Sequence, residues 1–307
     1  MIIKFSDDLL EQEIFANGDE LAQIMGYDRD EKGNRIYSCP DDKKVSVVTF
    51  DEPVLMTDND RIAKLDPVLR DTVFALYSSP VKRIEYGNVS LRFEQDKYPG
   101  VWGPSIDTLL FCRGLKKAGL ENVEDVVEIG CGSGFVSKYV LCNAPDIKNM
   151  TLVDINNYAI GCAYDNIDDE RATFVAGNGI DHIYGKMYDL IVCNPPYIPR
   201  PESIDDNAYE GLELLHYLID NATEHLNEDG RLIVNISSMS KKQTYELIKD
   251  SGVKAREIDA MCVPLKVYNV LNNQEWKDYL LDTGRLRKER RSGYDYWQRI
   301  AITEIRI

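Results

Sequence analysis

The 307-residue chain has no apolar run long enough to span a bilayer, so no membrane-spanning helix is expected. It has three histidines, His182, His216 and His225, at no metal-ligand spacing, which argues against a zinc centre and leaves no expected metal. Its seven cysteines (Cys39, Cys112, Cys131, Cys142, Cys162, Cys193 and Cys262) form no C-x-x-C pair and are odd in number. Several sit in apolar runs, as in Ile191-Val192-Cys193, and read as buried thiols in a reducing compartment. Positive charge is scarce: 36 Lys and Arg face 52 Asp and Glu, for a net −16. Such a surface repels phosphate backbones and disfavours a nucleic-acid substrate, while it suits a cationic partner. The first residues, Met1-Ile2-Ile3-Lys4-Phe5-Ser6-Asp7-Asp8, turn acidic at once, unlike a secretory signal. The expectation is a cytoplasmic protein without a membrane partner.

With 44% hydrophobic residues, the chain can bury one sizeable core, with or without a small appendage. Residues 1–80 lack strand–helix alternation. Ser6 reads as a helix cap before Leu9, Leu10, Ile14 and Phe15, and Leu21, Ile24 and Met25 as a second amphipathic piece. Gly33-Asn34 falls in a polar loop, residues 45–50 read as a strand, and a helix is expected from Asp66-Pro67. Residues 81–99 read as a hairpin turning at Gly87-Asn88, and a helix is expected from about Ser105. From about residue 123 strands alternate with helical patterns, at 125–129, 150–154, 172–176, 188–193 and 231–237. That rhythm implies a parallel sheet covered on both faces. Residues 253–270 and 296–306 read as a closing antiparallel pair joined by a long polar segment. The predicted architecture is α/β: a Rossmann-like, mostly parallel sheet with an antiparallel C-terminal hairpin over 81–307, plus a small α+β substrate or lid module over 1–80.

Two motifs carry chemistry. The first predicted strand runs Val126-Val127-Glu128-Ile129 into Gly130-Cys131-Gly132-Ser133-Gly134, where glycines permit a sharp turn and close approach of backbone N–H groups to a ligand. The second ends Leu152-Val153-Asp154, a carboxylate at the neighbouring strand tip, where a ribose diol is held in such sheets. Dinucleotide dehydrogenases share this pairing, but their third glycine comes one residue later, at the place Phe135 occupies here. The fourth strand ends Cys193-Asn194-Pro195-Pro196-Tyr197.

Together the glycine turn and Asn194-Pro195-Pro196-Tyr197-Ile198-Pro199 resemble the class I methyltransferases that modify exocyclic or amide nitrogens. The chain is most similar to the HemK-like protein-glutamine N5-methyltransferases, which act on peptide release factors. Tyr209-Glu210-Gly211-Leu212 and Val101-Trp102-Gly103-Pro104-Ser105-Ile106-Asp107-Thr108 also look like that family. The resemblance covers residues 81–307 and implies S-adenosylmethionine (SAM) as cofactor. It implies Asn194, Pro195 and Tyr197 as catalytic residues, and Glu128, Gly130, Cys131, Gly132, Gly134, Asp154, Asn178 and Asn194 around the cofactor. It implies Trp102, Asp107, Pro196 and Glu210 around the acceptor. One departure stands out. The family's acid after the third strand, which meets the adenine amino group, is Asn178 here, and the aromatic that often follows is Gly179.

A planar nitrogen shares its lone pair with a π system and is a poor nucleophile. The Asn194 side-chain oxygen and the Pro195 carbonyl can accept its N–H bonds and stabilise the positive charge that grows on it. The Tyr197 ring can lie against its flat face. Glu202, Asp205, Asp206, Glu210 and Glu213 follow the motif, either as a solvated helix start or as a field for a neutral to cationic acceptor. Arg285, Arg287, Lys288, Arg290 and Arg291 read as a polar hairpin loop, with anion binding as the alternative. The leading acceptor is a protein glutamine amide. A guanidinium or amide of a small molecule comes second and a nucleic-acid adenine third.

Overall fold

The computed structural model describes residues 81–204, 210–265, 267–291 and 294–307, together with short strands at Ile3–Phe5 (β1), Tyr27–Arg29 (β2), Arg35–Tyr37 (β3) and Val45–Phe50 (β4). The expected helices at 6–15, 21–25 and from Asp66 lie outside the described residues, as does the Gly33-Asn34 loop. The strand expected at 45–50 is β4. Strands Val81–Tyr86 (β5) and Val89–Glu94 (β6) form the predicted hairpin, turning at Gly87, whose φ of 57° lies in the left-handed region. β4 runs parallel to β5 and β1 parallel to β4, so a four-stranded sheet β1-β4-β5-β6 crosses residue 80.

The main sheet is built from Asp125–Ile129 (β7), Asn149–Asp154 (β8), Ala172–Ala176 (β9), Tyr188–Cys193 (β10), Leu226–Ser237 (β11), Lys254–Pro264 (β12), Lys288–Arg291 (β13) and Tyr294–Arg306 (β14). Its order is β12-β14-β11-β10-β7-β8-β9, with β13 paired to β14. β14 is antiparallel to both β11 and β12 and sits between them; the other neighbouring pairs on that path are parallel. The helices are Ile106–Ala118 (α1), Phe135–Asn143 (α2), Asn157–Asn166 (α3), Gly179–Ile183 (α4), Glu213–Asp220 (α5), Ala222–His225 (α6), Lys241–Asp250 (α7), Tyr268–Asn272 (α8) and Gln274–Asp282 (α9).

Strand alternation sorts the core into two layers. Val126, Leu190, Val192 and Ile233 pack with Leu109, Leu110 and Leu115 of α1 and Phe135 and Tyr139 of α2. Val127, Ile129, Ile191, Cys193, Leu232, Val234 and Ile236 pack with Leu215, Leu218 and Ile219 of α5 and Ile248 of α7. Two details of the closing segment differ from expectation. β12 ends at Pro264, and the residues between β12 and β14 hold α8 and α9, whose Val270, Trp276 and Leu280 form a third cluster with Ile198, Met239, Leu265 and Leu286. The apolar spacing at 270, 276, 280 and 281 was diluted by six polar residues from Asn272 to Asp278, which hid the helical period. Of the basic cluster, Arg285 donates to the Met239 carbonyl at 3.0 Å and to Gln243 at 2.6 Å. Among the described residues, no helix is long and apolar enough to cross a membrane, and no three His, Cys, Asp or Glu side chains are grouped to hold a metal.

Candidate functional site

The site lies at the C-terminal edge of the parallel strands, where open α/β sheets bind ligands. Gly130, Gly132 and Gly134 all have positive φ (72°, 52° and 78°), a backbone that other residues rarely adopt. A side-chain carbon at Gly134 would meet Ala163 at 2.9 Å, and one at Gly132 would lie 3.5 Å from the Trp102 carbonyl. Two different demands thus fix the glycines: left-handed turning, and a close approach of α2 to α3. The loop is anchored to the tip of β8. Gly130 N–H donates to the Val153 carbonyl at 2.8 Å, and Gly132 N–H donates to the Asp154 carboxylate at 2.9 Å. The other Asp154 oxygen accepts from Asn156 N–H at 2.9 Å. Burial raises the Asp154 pKa above its ordinary value, and the two N–H donors oppose that rise.

Glu128 lies beneath this loop, 2% exposed, and accepts from the Ser137 hydroxyl. Burial pushes its carboxyl up to about 8, so it holds a proton at neutral pH. Cys131 is buried and its thiol is pushed well above the usual range, which makes it inert packing. Asn178 is exposed and its side-chain oxygen caps α4, accepting from Ile180 N–H at 2.9 Å. A side chain at Gly179 would collide with Ile129 at 2.3 Å, which is why the aromatic common in the resembled family has no room here. Ile155 (50% exposed) and Tyr158 (55%) follow Asp154 as solvent-facing apolar groups, flanking the loop on the β8 side.

The Asn194 loop forms the second half. Asn194 Nδ2 donates to Asp107 at 3.1 Å, and Asn194 Oδ1 accepts from Asn235 Nδ2. Asp107 stands in the first turn of α1, capped at Ser105, whose hydroxyl donates to Asp107. Tyr197 is half-buried with its hydroxyl set among Asp107 and Gln298; burial first, then Asp107, pushes the phenol well above 10. Ser237 in turn donates to Gln298 at 2.9 Å. Behind the loop, Trp276 Nε1 donates to the Pro199 carbonyl at 2.7 Å, so α9 pins its far end.

The structure thus gathers Asn194, Tyr197 and Asp107 into one hydrogen-bonded group, and Gly130, Gly132 and Asp154 into another, with Glu128 buried below the second. Pro196 is half-buried, and the Trp102 side chain is exposed beside the glycine loop. Glu210 is half-buried just before α5; Asp205 and Asp206 lie outside the described residues. Asn235, Gln298 and Ile155 were not read from the sequence. Asn235 carried a signal, a lone amide inside Leu232-Ile233-Val234-Asn235-Ile236. Gln298 and Ile155 had none beyond position.

A parallel sheet with a glycine-rich first turn, an acid on the next strand and Asn-Pro-Pro-Tyr on the fourth defines an α/β group-transfer enzyme. The family described as Methyltransferase small domain matches residues 103–260, and the chain belongs to it. It is an enzyme, a SAM-dependent methyltransferase. A Methanocaldococcus jannaschii protein named as a protein N5-glutamine methyltransferase is 30% identical over 187 residues, 57% of this chain and 92% of that one. The release factor glutamine methyltransferase of Aquifex aeolicus is 29% identical over 145 residues, 41% of this chain and 51% of its own length. The ribosomal protein uL3 glutamine methyltransferase of Francisella tularensis is 29% identical over 138 residues, 39% and 43% respectively. The chain therefore spans about half the length of the last two.

Proposed function

We propose that the chain methylates the side-chain amide of a protein glutamine, in an acceptor segment that is neutral to cationic. The observation that carries the reading is the Asp107–Asn194–Asn235 chain of hydrogen bonds, which fixes the Asn194 side-chain carbonyl at the strand edge. Both relatives named for their substrates act on glutamine. In this reading the Gly130–Gly134 turn, Asp154, Asn178 and Ile155 hold SAM, with Asp154 accepting from the ribose hydroxyls. Each Asp154 oxygen accepts one N–H from the chain and has a further lone pair to offer. Glu128 holds the loop from below. When bound, the cofactor supplies a methyl group on a positively charged sulfur.

Asn194 Oδ1 and the Pro195 carbonyl accept the two N–H bonds of the glutamine amide and hold its nitrogen in line. As the nitrogen's lone pair leaves the amide π system to bond the methyl carbon, positive charge grows on the nitrogen held by these two acceptors, and one N–H proton is lost to solvent after the methyl has transferred. Proline lacks an N–H and fixes φ, so the loop offers acceptors without a competing donor. Tyr197 lies against the flat amide face, and its phenol stays neutral because burial and Asp107 raise its pKa. Positioning of this kind is worth on the order of 7–11 kcal/mol of barrier. Trp102, Pro196, Glu210 and the acidic residues Glu202 and Glu213 border the acceptor, with residues 1–80 as a module that selects or covers it. A cytoplasmic location belongs to the same proposal, supported by the buried thiols Cys112, Cys131, Cys162 and Cys193.

The test is methyl transfer from labelled SAM by the full chain, with purified peptide release factor, ribosomal protein uL3, free amino acids and ribosomal RNA as separate acceptors. The expected result is one added methyl on a glutamine side chain, located by fragmentation mass spectrometry. Label confined to RNA or to a small molecule would overturn the acceptor assignment.

A further inference from the structure

Asn235 lies on β11 with no exposed surface, in a strand that is otherwise apolar around it. Its side-chain Nδ2 donates to Asn194 Oδ1, while its own Oδ1 has no partner. A buried amide with a bare carbonyl is a cost that valine or leucine at the same place would avoid. What the amide supplies is direction. A carboxylate only accepts, so Asp107 holds the NH2 of Asn194 toward α1, and the Asn194 oxygen then faces the β11 donor. The opposite orientation of Asn194 would set its oxygen against the Asp107 carboxylate.

We propose that Asn235 is a positioning residue for methyl transfer, fixing the Asn194 side-chain carbonyl so that its second lone pair faces the acceptor N–H. The inference rests on the assignment of Asn194 made above. β11 supports the loop twice from one face. Two residues on, Ser237 donates to Gln298, and Gln298 lies on the Tyr197 phenol. Residues i and i+2 of a strand share a face, so one strand aligns both motif side chains.

Asn235→Ala and Asn235→Asp in the full chain test this, with labelled SAM and purified peptide release factor as acceptor. Asn235→Ala is expected to lower kcat at least tenfold, short of the roughly 10²–10³-fold expected for removing Asn194 itself, while SAM affinity stays within about twofold. Asn235→Asp gives a sharper readout. Its protonated acid donates to Asn194, and its carboxylate repels the same oxygen. Its kcat therefore starts near wild type at low pH and falls through an ionisation that the wild-type profile lacks. A residue that merely fills space would lower stability without adding that ionisation. Wild-type kcat in Asn235→Ala, or a wild-type pH profile in Asn235→Asp, overturns the proposal. Release factor left unmethylated by the wild-type chain would instead defeat the acceptor assignment. The side-chain amide resonances of Asn194, observed in asparagine-labelled protein without acceptor, then decide: they shift in Asn235→Ala and stay put in Ser251→Ala, and unmoved resonances in Asn235→Ala overturn the proposal.

Discussion

Glutamine in place of Glu128 should stabilise the protein, and more so as pH rises. The Glu128 carboxyl is buried at 2% exposure, with the Ser137 hydroxyl as its donor and a pKa of about 8. Unfolded, the same group titrates near 4.5. The folded state therefore keeps its proton over a range where the unfolded state has lost it, and stability falls as pH climbs from about 4.5 to 8. Each tenfold difference in proton affinity is worth about 1.36 kcal/mol, so the whole window corresponds to roughly 4–6 kcal/mol. About 2.5 kcal/mol of that falls between pH 6 and 8.5. For a chain of this size that is a melting-temperature loss of roughly 3–5 °C. Glutamine keeps an oxygen for Ser137 and cannot ionise. Scanning calorimetry of both proteins without SAM, at half-unit steps from pH 5.5 to 9, should show their melting temperatures diverging with pH, glutamine above. Parallel curves would show that Glu128 is ionised in the folded protein and refute the reasoning.

Asp154→Ala should abolish measurable SAM binding by calorimetry and lower the melting temperature, because Gly132 and Asn156 N–H both lose a charged acceptor worth about 1.5–3 kcal/mol each. Unchanged affinity would remove Asp154 from the cofactor site, and NADH titration is the matching control. Asn194→Ala should cost roughly 10²–10³-fold in kcat while SAM still binds, and near-normal kcat would make the loop purely structural. Glu210→Gln should raise KM for a cationic acceptor peptide and make that KM less sensitive to salt, since screened attraction is what the substitution removes. A lower melting temperature with unchanged kinetics would instead assign Glu210 to helix-dipole stabilisation of α5.

The middle of the sheet was legible because β7, β8 and β10 are short, mostly buried runs that end at Gly, Asp and Asn. Predicted ranges for β7, β9 and β10 match their observed limits. β11 begins at Leu226, five residues before the predicted start: Leu226 pairs with Tyr188, and Asn227-Glu228-Asp229-Gly230, which carries no strand signal, is a bulge before Arg231 pairs with Leu190. The helices α8 and α9 were hidden by their polar faces. At the site, Gly130–Gly134, Asp154 and Asn194–Tyr197 could be placed because a turn or a strand end dictates their position. Asn235 and Gln298 meet Asn194 and Tyr197 only through tertiary packing, across 41 residues in the case of Asn235. No periodicity reports a contact of that kind. The Asn178 cap is intermediate: its role as a helix start is local and readable, and any further role depends on what approaches from outside.

The place of β14 sets an order of assembly. It fills the slot between β11 and β12, strands made well before it, and it carries Gln298 to the Tyr197 phenol. While the ribosome is still producing residues 265–293, β11 and β12 each have an edge with unmet backbone donors and acceptors, a template for wrong partners. Closure of the sheet and completion of the Tyr197 support are one event. A nascent chain thus gains its protective middle strand and its finished site together, and a chain cut short before residue 294 has neither.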